Sequence, residues 1–485
     1  MKDQMKKIYA IAASVLMASA VSCSEEIVLD RVDEGAYDNV VNLIGSLRDG
    51  KTGKVCTVVE MFSEDFNSEV AFNIARAPKE GVDVKVIYDK SYVDIYNKEH
   101  GTSYSALPED RFSIKNGGKI VVAPDEKLSY SLGINIAAPA EAVSEDKVWI
   151  LPLKAEISSG AVSLSGKDSH CIYLVKETAV EISEGYEAAE GAGTAYRKPE
   201  EKKTVLFFEV NDTNPLNALQ FQMEDGRYLW NYVVLFAANI NYDSESGEVY
   251  IYCNDQVQYI LDHNEEIIQP LRKRGIKVIL SILGNHDESG LAQLSDLGAK
   301  QFAQKVKNLC EAYNLDGVNY DDEYSNSPDL SNPLFTRRSQ EAGSRLIFET
   351  KKAMPDKEII SYQYGYCVGQ DYVDGIPSNE WLDIVVGDYG VPGRPYAGMT
   401  LANCSAYSFE MARGYSISVS QAQSYANSDY GYVMAFGLWA ANKQGNRTQF
   451  NYINNLAQGL YGSPLKKPEY YYPSSTSMET KPINW

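Results

Sequence analysis

The sequence predicts two folding units in tandem: an all-β sandwich of immunoglobulin-like type, then an α/β unit, a (β/α)8 TIM-type barrel. Three observations carry this prediction. The chain has 485 residues, more than one hydrophobic core usually organises. Its first part consists of short β-like runs separated by turn residues, and its second alternates apolar strands with helical stretches. Polar residues also crowd the C-terminal ends of the second-part strands, the end where barrels of this kind carry their chemistry.

Composition narrows the function. Hydrophobic residues make up 44% and charged residues 23%, which excludes a wholly disordered or fibrous chain. The formal net charge is −21; nucleic acid is therefore not an expected partner, because phosphate binding needs clustered positive charge. The 35 tyrosines are a high number, and a flat apolar face bearing a hydroxyl suits sugars and interfaces alike.

Residues 1–22 read as an address. Lys2, Lys6 and Lys7 precede the apolar run Ile8–Val21, which is too short for an ordinary membrane span. The run ends in Ala20-Val21-Ser22-Cys23, which resembles the lipobox of bacterial lipoproteins; an ordinary secretory signal cut nearby is the alternative. Ser24, Glu25 and Glu26 resemble the surface-export signal of Bacteroidetes lipoproteins. The resemblance implies lipidation at Cys23, an outer-membrane location on the cell surface, and contact with glycan-uptake partners there. The other cysteines and the four histidines show neither CxxC pairs nor metal-ligand spacing, so no metal site is expected.

Residues 23–177 form the first unit. The runs Lys54–Met61, Val82–Tyr88, Lys119–Val122, Ser129–Ile136, Trp149–Ala155 and Cys171–Val175 read as antiparallel strands. Asn97–Tyr104, Leu107–Asp110 and Leu151–Lys154 resemble an uncharacterised N-terminal domain of Bacteroidetes surface lipoproteins, which implies a spacer or a weak sugar-binding module. Residues 178–203 are a Glu-, Ala- and Gly-rich linker. Because it lacks periodic apolar residues, the two halves are expected to fold separately.

The barrel is expected over 204–465, with 466–485 as a C-terminal tail. Its candidate strands are Thr204–Val210, Tyr232–Ile240, Lys277–Leu283, Gly317–Glu323, Ile359–Gln363, Ile384–Asp388, Tyr415–Val419 and Tyr432–Leu438. Most are continuous apolar runs, as strands buried on both faces are. Helical stretches at Gln256–Arg274, Leu291–Tyr313 and Leu334–Met354 lie between them.

The fourth strand breaks the apolar rule. In Gly317-Val318-Asn319-Tyr320-Asp321-Asp322-Glu323-Tyr324, period two puts Gly317, Asn319, Asp321 and Glu323 on one face. Inside a barrel such a polar column is costly unless its groups are hydrogen-bonded and in use. The segment resembles the signature of family 18 glycoside hydrolases, and its Asp-Asp-Glu-Tyr ending is similar to that of the bacterial endo-β-N-acetylglucosaminidases that cut N-glycans. Met354–Ser361 and Leu460–Ser463 are also similar to that family, and the resemblance covers roughly 203–465.

The resemblance implies substrate-assisted, retaining hydrolysis without cofactor or metal, in which the sugar's own N-acetyl group is the nucleophile. It assigns Glu323 as general acid and base, Asp321 as the partner of the acetamide and Asn319 as its orienter. Asn319 stands where the family usually has Asp, and is expected to donate a hydrogen bond to Asp321. Tyr389 resembles the family tyrosine that binds the acetamide oxygen, Gln363 and Tyr364 are candidates for the same sugar, and Phe436 or Trp439 for its aromatic floor. Strand alternation puts those last two on opposite faces, so one at most lies inside. N-glycans of glycoproteins are the implied substrate. Two other readings stay open: a chitinase-like hydrolase, and a catalytically weak glycan-binding surface lipoprotein for which Asn319 is the argument.

Overall fold

The computed structural model describes residues 43–61, 65–141, 143–158, 162–164, 169–179, 201–367, 369–438, 447–483 and 485. Cys23, most of the expected linker and Trp439 lie outside these residues.

The first unit is a two-sheet sandwich. One sheet runs in the order Val162–Leu164, Leu43–Asp49, Phe66–Ile74, Leu132–Ile136, Phe112–Ile114. The other runs Cys56–Met61, His170–Glu177, Lys147–Ile157, Val82–Tyr88, Lys119–Val122. Both sheets alternate: Leu47, Phe72, Ile134, Val84, Leu153 and Tyr173 point inward to one shared core. The six strands expected here are all present, and a helix, Tyr92–His100, covers part of the second sheet.

The second unit is a nearly closed barrel of eight parallel strands: Lys203–Glu209, Tyr232–Asp243, Lys277–Leu283, Gly317–Asp321, Glu358–Gln363, Ile384–Gly387, Ser405–Glu410 and Tyr432–Phe436. The seventh strand corrects the expectation. Tyr415–Val419 runs through a loop into the helix Val419–Ala426, whereas Ser405–Glu410 pairs in parallel with the eighth strand. The true strand was missed because its inward positions are Ser405 and Ser408, which bind the sixth strand through their hydroxyls instead of filling the barrel with apolar volume: Gly387 N donates to Ser405 Oγ (2.9 Å), and Ser408 Oγ donates to Gly387 O (2.6 Å). Backbone pairing of the sixth and seventh strands is reduced to one bridge, Val385 to Cys404.

Helices follow the second, third, fourth, seventh and eighth strands. The stretch expected as one helix over Gln256–Arg274 is two, Asp255–Asp262 and Asn264–Arg272, divided at His263. Those at Asp296–Ala312 and Gln340–Ala353 begin at Ser295 and Ser339, whose hydroxyls accept the backbone N–H of Gly298 and Ala342, satisfying N–H groups that the helix leaves unpaired.

The barrel has two cores. Val205, Phe207, Tyr232, Val234, Ile279, Ile360, Ile384, Val386 and Met434 fill its interior. Val318, Tyr320, Ile359, Val385 and Phe409 belong instead to the shell between strands and helices.

The two halves are in contact. The sandwich docks beneath the N-terminal ends of the barrel strands through charge. Lys176 Nζ lies 3.6 Å from Asp316 and 3.8 Å from Glu60, and Lys277 Nζ lies 2.9 Å from Glu60 and 2.6 Å from Glu358. Arg272 forks onto Asp316 and reaches Asp146 at 2.7 Å, while Lys307 Nζ donates to Gly101 O (2.8 Å). The halves therefore share a charged interface. Lys277, Asp316 and Glu358, at the starts of their strands, form a largely buried seam. Among the described residues no helix is long and apolar enough to cross a membrane.

Candidate active site

The fourth strand carries its polar column inward. Gly317 is required at its base, where a Cβ would lie 2.0 Å from Glu358 O. Above it Asn319 and Asp321 are buried, at 0% and 3% exposure. Asn319 Nδ2 donates to Ser281 Oγ on the third strand, at 2.8 Å, so its amide is not spent on Asp321 as the sequence led us to expect. The serine hydroxyl opposite it supplied the nearer acceptor. Asn319 Oδ1 and Asp321 Oδ1 are both buried and without a hydrogen-bond partner among the described residues.

Glu323 stands beyond the strand end, half-buried. Burial raises its pKa, the carboxylates of Asp388 and Asp322 raise it further, and a hydrogen bond with Tyr324 works against them. Asp321 is raised well above the ordinary carboxylate range, first by burial and then by the charges of Glu323, Asp322 and Asp388. Loss of water and like charge are the mechanisms by which such a pair holds a shared proton near neutral pH.

Tyr389 stands across the mouth, at the end of the sixth strand. Its ring is 6.1 Å from Phe436, 6.3 Å from Tyr362 and 6.1 Å from Tyr415. The Arg413 guanidinium lies 5.8 Å over it. Asp388 is held beside it by the Tyr362 hydroxyl and by the Tyr389 backbone N–H (2.7 Å). Glu410, which ends the seventh strand, is 2% exposed, accepts Ala412 N at 2.7 Å and lies 3.3 Å from Arg413 Nε.

The remaining candidates divide. Phe436 packs at the top of the barrel interior against Phe236 and Tyr389. Tyr364 is 48% exposed on the rim. Gln363 is committed to a loop: its Oε1 accepts Arg394 N (2.9 Å) and its Nε2 donates to the Tyr396 hydroxyl (2.6 Å). Sequence reasoning passed over Asp388, Tyr362, Glu410 and Arg413. Asp388 and Tyr362 could have been found by extending period two along their strands. Glu410 and Arg413 were hidden by the misplaced seventh strand. No group of three or more His, Cys, Asp or Glu among the described residues is arranged to hold a metal ion.

Known proteins share this architecture and sequence. Endo-β-N-acetylglucosaminidase F1 of Elizabethkingia meningoseptica is 39% identical over 273 residues, which span 54% of this chain and 79% of that protein. The chain belongs to the family 18 endo-β-N-acetylglucosaminidases. It is thus a glycoside hydrolase. An endo-β-N-acetylglucosaminidase from a Flavobacterium species is 30% identical over 265 residues, 53% of this enzyme and 80% of the relative. The similarity extends beyond the barrel in EndoBT-3987 of Bacteroides thetaiotamicron, crystallised with a Man5GlcNAc product. That structure is 42% identical with a TM-score of 0.82, covering 90% of this enzyme and 99% of that chain. A second structure of EndoBT-3987, with a Man9GlcNAc2Asn substrate, aligns at 41% identity and a TM-score of 0.76, over 90% and 98% of the two chains. Residues 37–162 match a family model described as a "-like, N-terminal domain".

Proposed function

We propose that the enzyme cleaves the chitobiose core of high-mannose N-glycans, with the substrate's own acetamide as nucleophile and retention of anomeric configuration. The observation that carries the chemistry is the pair of acidic side chains, Asp321 buried and Glu323 half-buried, at the end of the fourth strand. Glu323, with its raised pKa, is suited to protonate the leaving oxygen and then to take a proton from water. Asp321 Oδ1, buried and without a hydrogen-bond partner among the described residues, is suited to accept the acetamide N–H and to balance the positive oxazolinium that forms. Asn319 holds its place through Ser281 and shapes the floor beneath Asp321. Tyr389 offers a hydroxyl toward the acetamide oxygen, and Phe436 an apolar surface for the sugar ring. The high-mannose preference is supported by EndoBT-3987, whose structures hold Man5GlcNAc and Man9GlcNAc2Asn.

The test is incubation with Man9GlcNAc2-Asn, a complex-type glycopeptide and chitin oligomers. Release of Man9GlcNAc with retained configuration in time-resolved NMR is expected. Inverted product, or cleavage of chitin oligomers alone, would overturn the reading. We further propose that Cys23 carries a lipid that anchors the enzyme at the outer-membrane surface, beside glycan-uptake partners. The lipobox-like Ala20-Val21-Ser22-Cys23 supports it. A Cys23→Ala protein should leave the membrane fraction, and retention there would refute the anchor.

A further inference from the structure

The extra acidic residue of the Asp-Asp-Glu-Tyr segment acts on the chemistry above through its charge, which helps to raise Glu323, while its own contacts lie elsewhere. Asp322 is 1% exposed, and its Oδ2 gathers three donors. Arg338 Nη2 lies at 2.7 Å, Arg338 Nε at 3.2 Å, and the backbone N–H of Tyr366 at 3.0 Å. Arg338 Nη2 also donates to the Asp322 carbonyl at 3.2 Å, and the same guanidinium lies 5.2 Å over the Tyr366 ring. Between them Gly365 adopts φ +61°, and a Cβ there would lie 2.2 Å from Asp322 O. The loop after the fifth strand therefore rests its backbone directly on the residue next to Glu323.

We infer that Asp322 is a positioning residue: with Arg338 it fastens this loop, and so sets Tyr364 and Tyr366 as an aromatic wall for the leaving sugar. The inference rests on the endoglycosidase reading above. Tyr364 and Tyr366 are 48% and 45% exposed, and Tyr324, next to Glu323, is 54% exposed. The Tyr364 ring stacks 6.1 Å from Tyr362. The leaving sugar carries away the oxygen that Glu323 protonates when its bond to the anomeric carbon breaks, so it lies on the Glu323 side of the cleft, beside these rings. Aromatic faces take up the apolar face of a pyranose while leaving its hydroxyls in water. Arg is suited to the clamp because its planar fork reaches the carboxylate through two nitrogens and also stacks on Tyr366, which lysine cannot do.

The test is steady-state kinetics on Man9GlcNAc2-Asn with Asp322→Asn, Arg338→Met and Tyr364→Ala, alongside hydrogen exchange of residues 364–367. Each substitution should raise KM about tenfold, the loss of one charge-assisted hydrogen bond or its equivalent in contact, with kcat near wild type at pH values below the alkaline limb. In Asp322→Asn the Tyr366 amide should exchange faster while the fourth-strand amides do not. Unchanged KM in a folded Asp322→Asn protein overturns the inference, and so does a fall in kcat with KM unchanged. Should Asp322→Asn not fold, the exposed Tyr364→Ala and partly exposed Arg338→Met decide; unchanged KM in both refutes it. A wild-type enzyme that releases no glycan defeats the functional reading instead, and the exchange measurement then tests the clamp alone.

Discussion

Lys176→Met removes one charge from the seam between the halves and keeps most of the side-chain volume. The ammonium is buried, 3.6 Å from Asp316 and 3.8 Å from Glu60, with no hydrogen-bond partner among the described residues. At an effective dielectric of ~20, each contact is worth about 4–5 kcal/mol before desolvation. Taking three charges out of water offsets much of that, yet removing one member of such a group still costs about 3–5 kcal/mol. The lower end applies here, because Asp316 keeps Arg272 and Glu60 keeps Lys277. Spread over a chain of this length, ~3 kcal/mol lowers the melting temperature by about 3 °C. Differential scanning calorimetry should show one transition in the wild type, and in the variant an earlier onset that splits toward two as the sandwich detaches. A variant that melts with the wild type, or above it, would refute the reasoning: desolvation would then outweigh attraction, and apolar packing alone would hold the halves together.

Further outcomes follow from the same groups. Glu323→Gln should lower kcat by at least a hundredfold while glycan binding survives in isothermal calorimetry, since the amide keeps shape but gives no proton. Asp321→Asn should fall comparably through loss of the counter-charge. Because Glu323 must be protonated to act, activity is lost as pH rises through its raised pKa; Asp388→Asn should move that alkaline limb of kcat/KM to lower pH, and Tyr324→Phe to higher pH, the signs set by what each neighbour does to Glu323. In stability, the carboxyls of Asp316 and Glu358 are depressed by the cations beside them, so their contribution is full above the ordinary range near ~4 and lost as pH falls through the folded values. Lys277 is raised, so its contribution is full below ~10 and lost above. Chemical denaturation across pH should therefore show a plateau between these limits.

The barrel was legible because its strands are apolar on both faces, and the catalytic column because Asn319, Asp321 and Glu323 break that rule at period two. The seventh strand was not. Ser405 and Ser408 close the wall with hydroxyls, and no hydrophobic pattern reports a strand whose inward side is polar. The role of Asn319 was partly legible: its residue type and face were visible, but its choice of Ser281 over Asp321 depends on a neighbouring strand about forty residues earlier. The seam was illegible for a related reason. A run of Lys, Asp and Glu at strand starts looks the same whether water or another domain faces it.

The docking of the sandwich under the strand starts makes the barrel a one-ended device. One rim is occupied by Glu60, Asp146 and Lys176 of the front unit, so a glycan reaches the chemistry only from the opposite rim. A sugar held on the outer face of the sandwich would therefore sit on the far side of the molecule from the bond being broken. Any glycan recognition there could keep a bulky glycoprotein nearby, but it could not help to orient the chitobiose that Glu323 attacks.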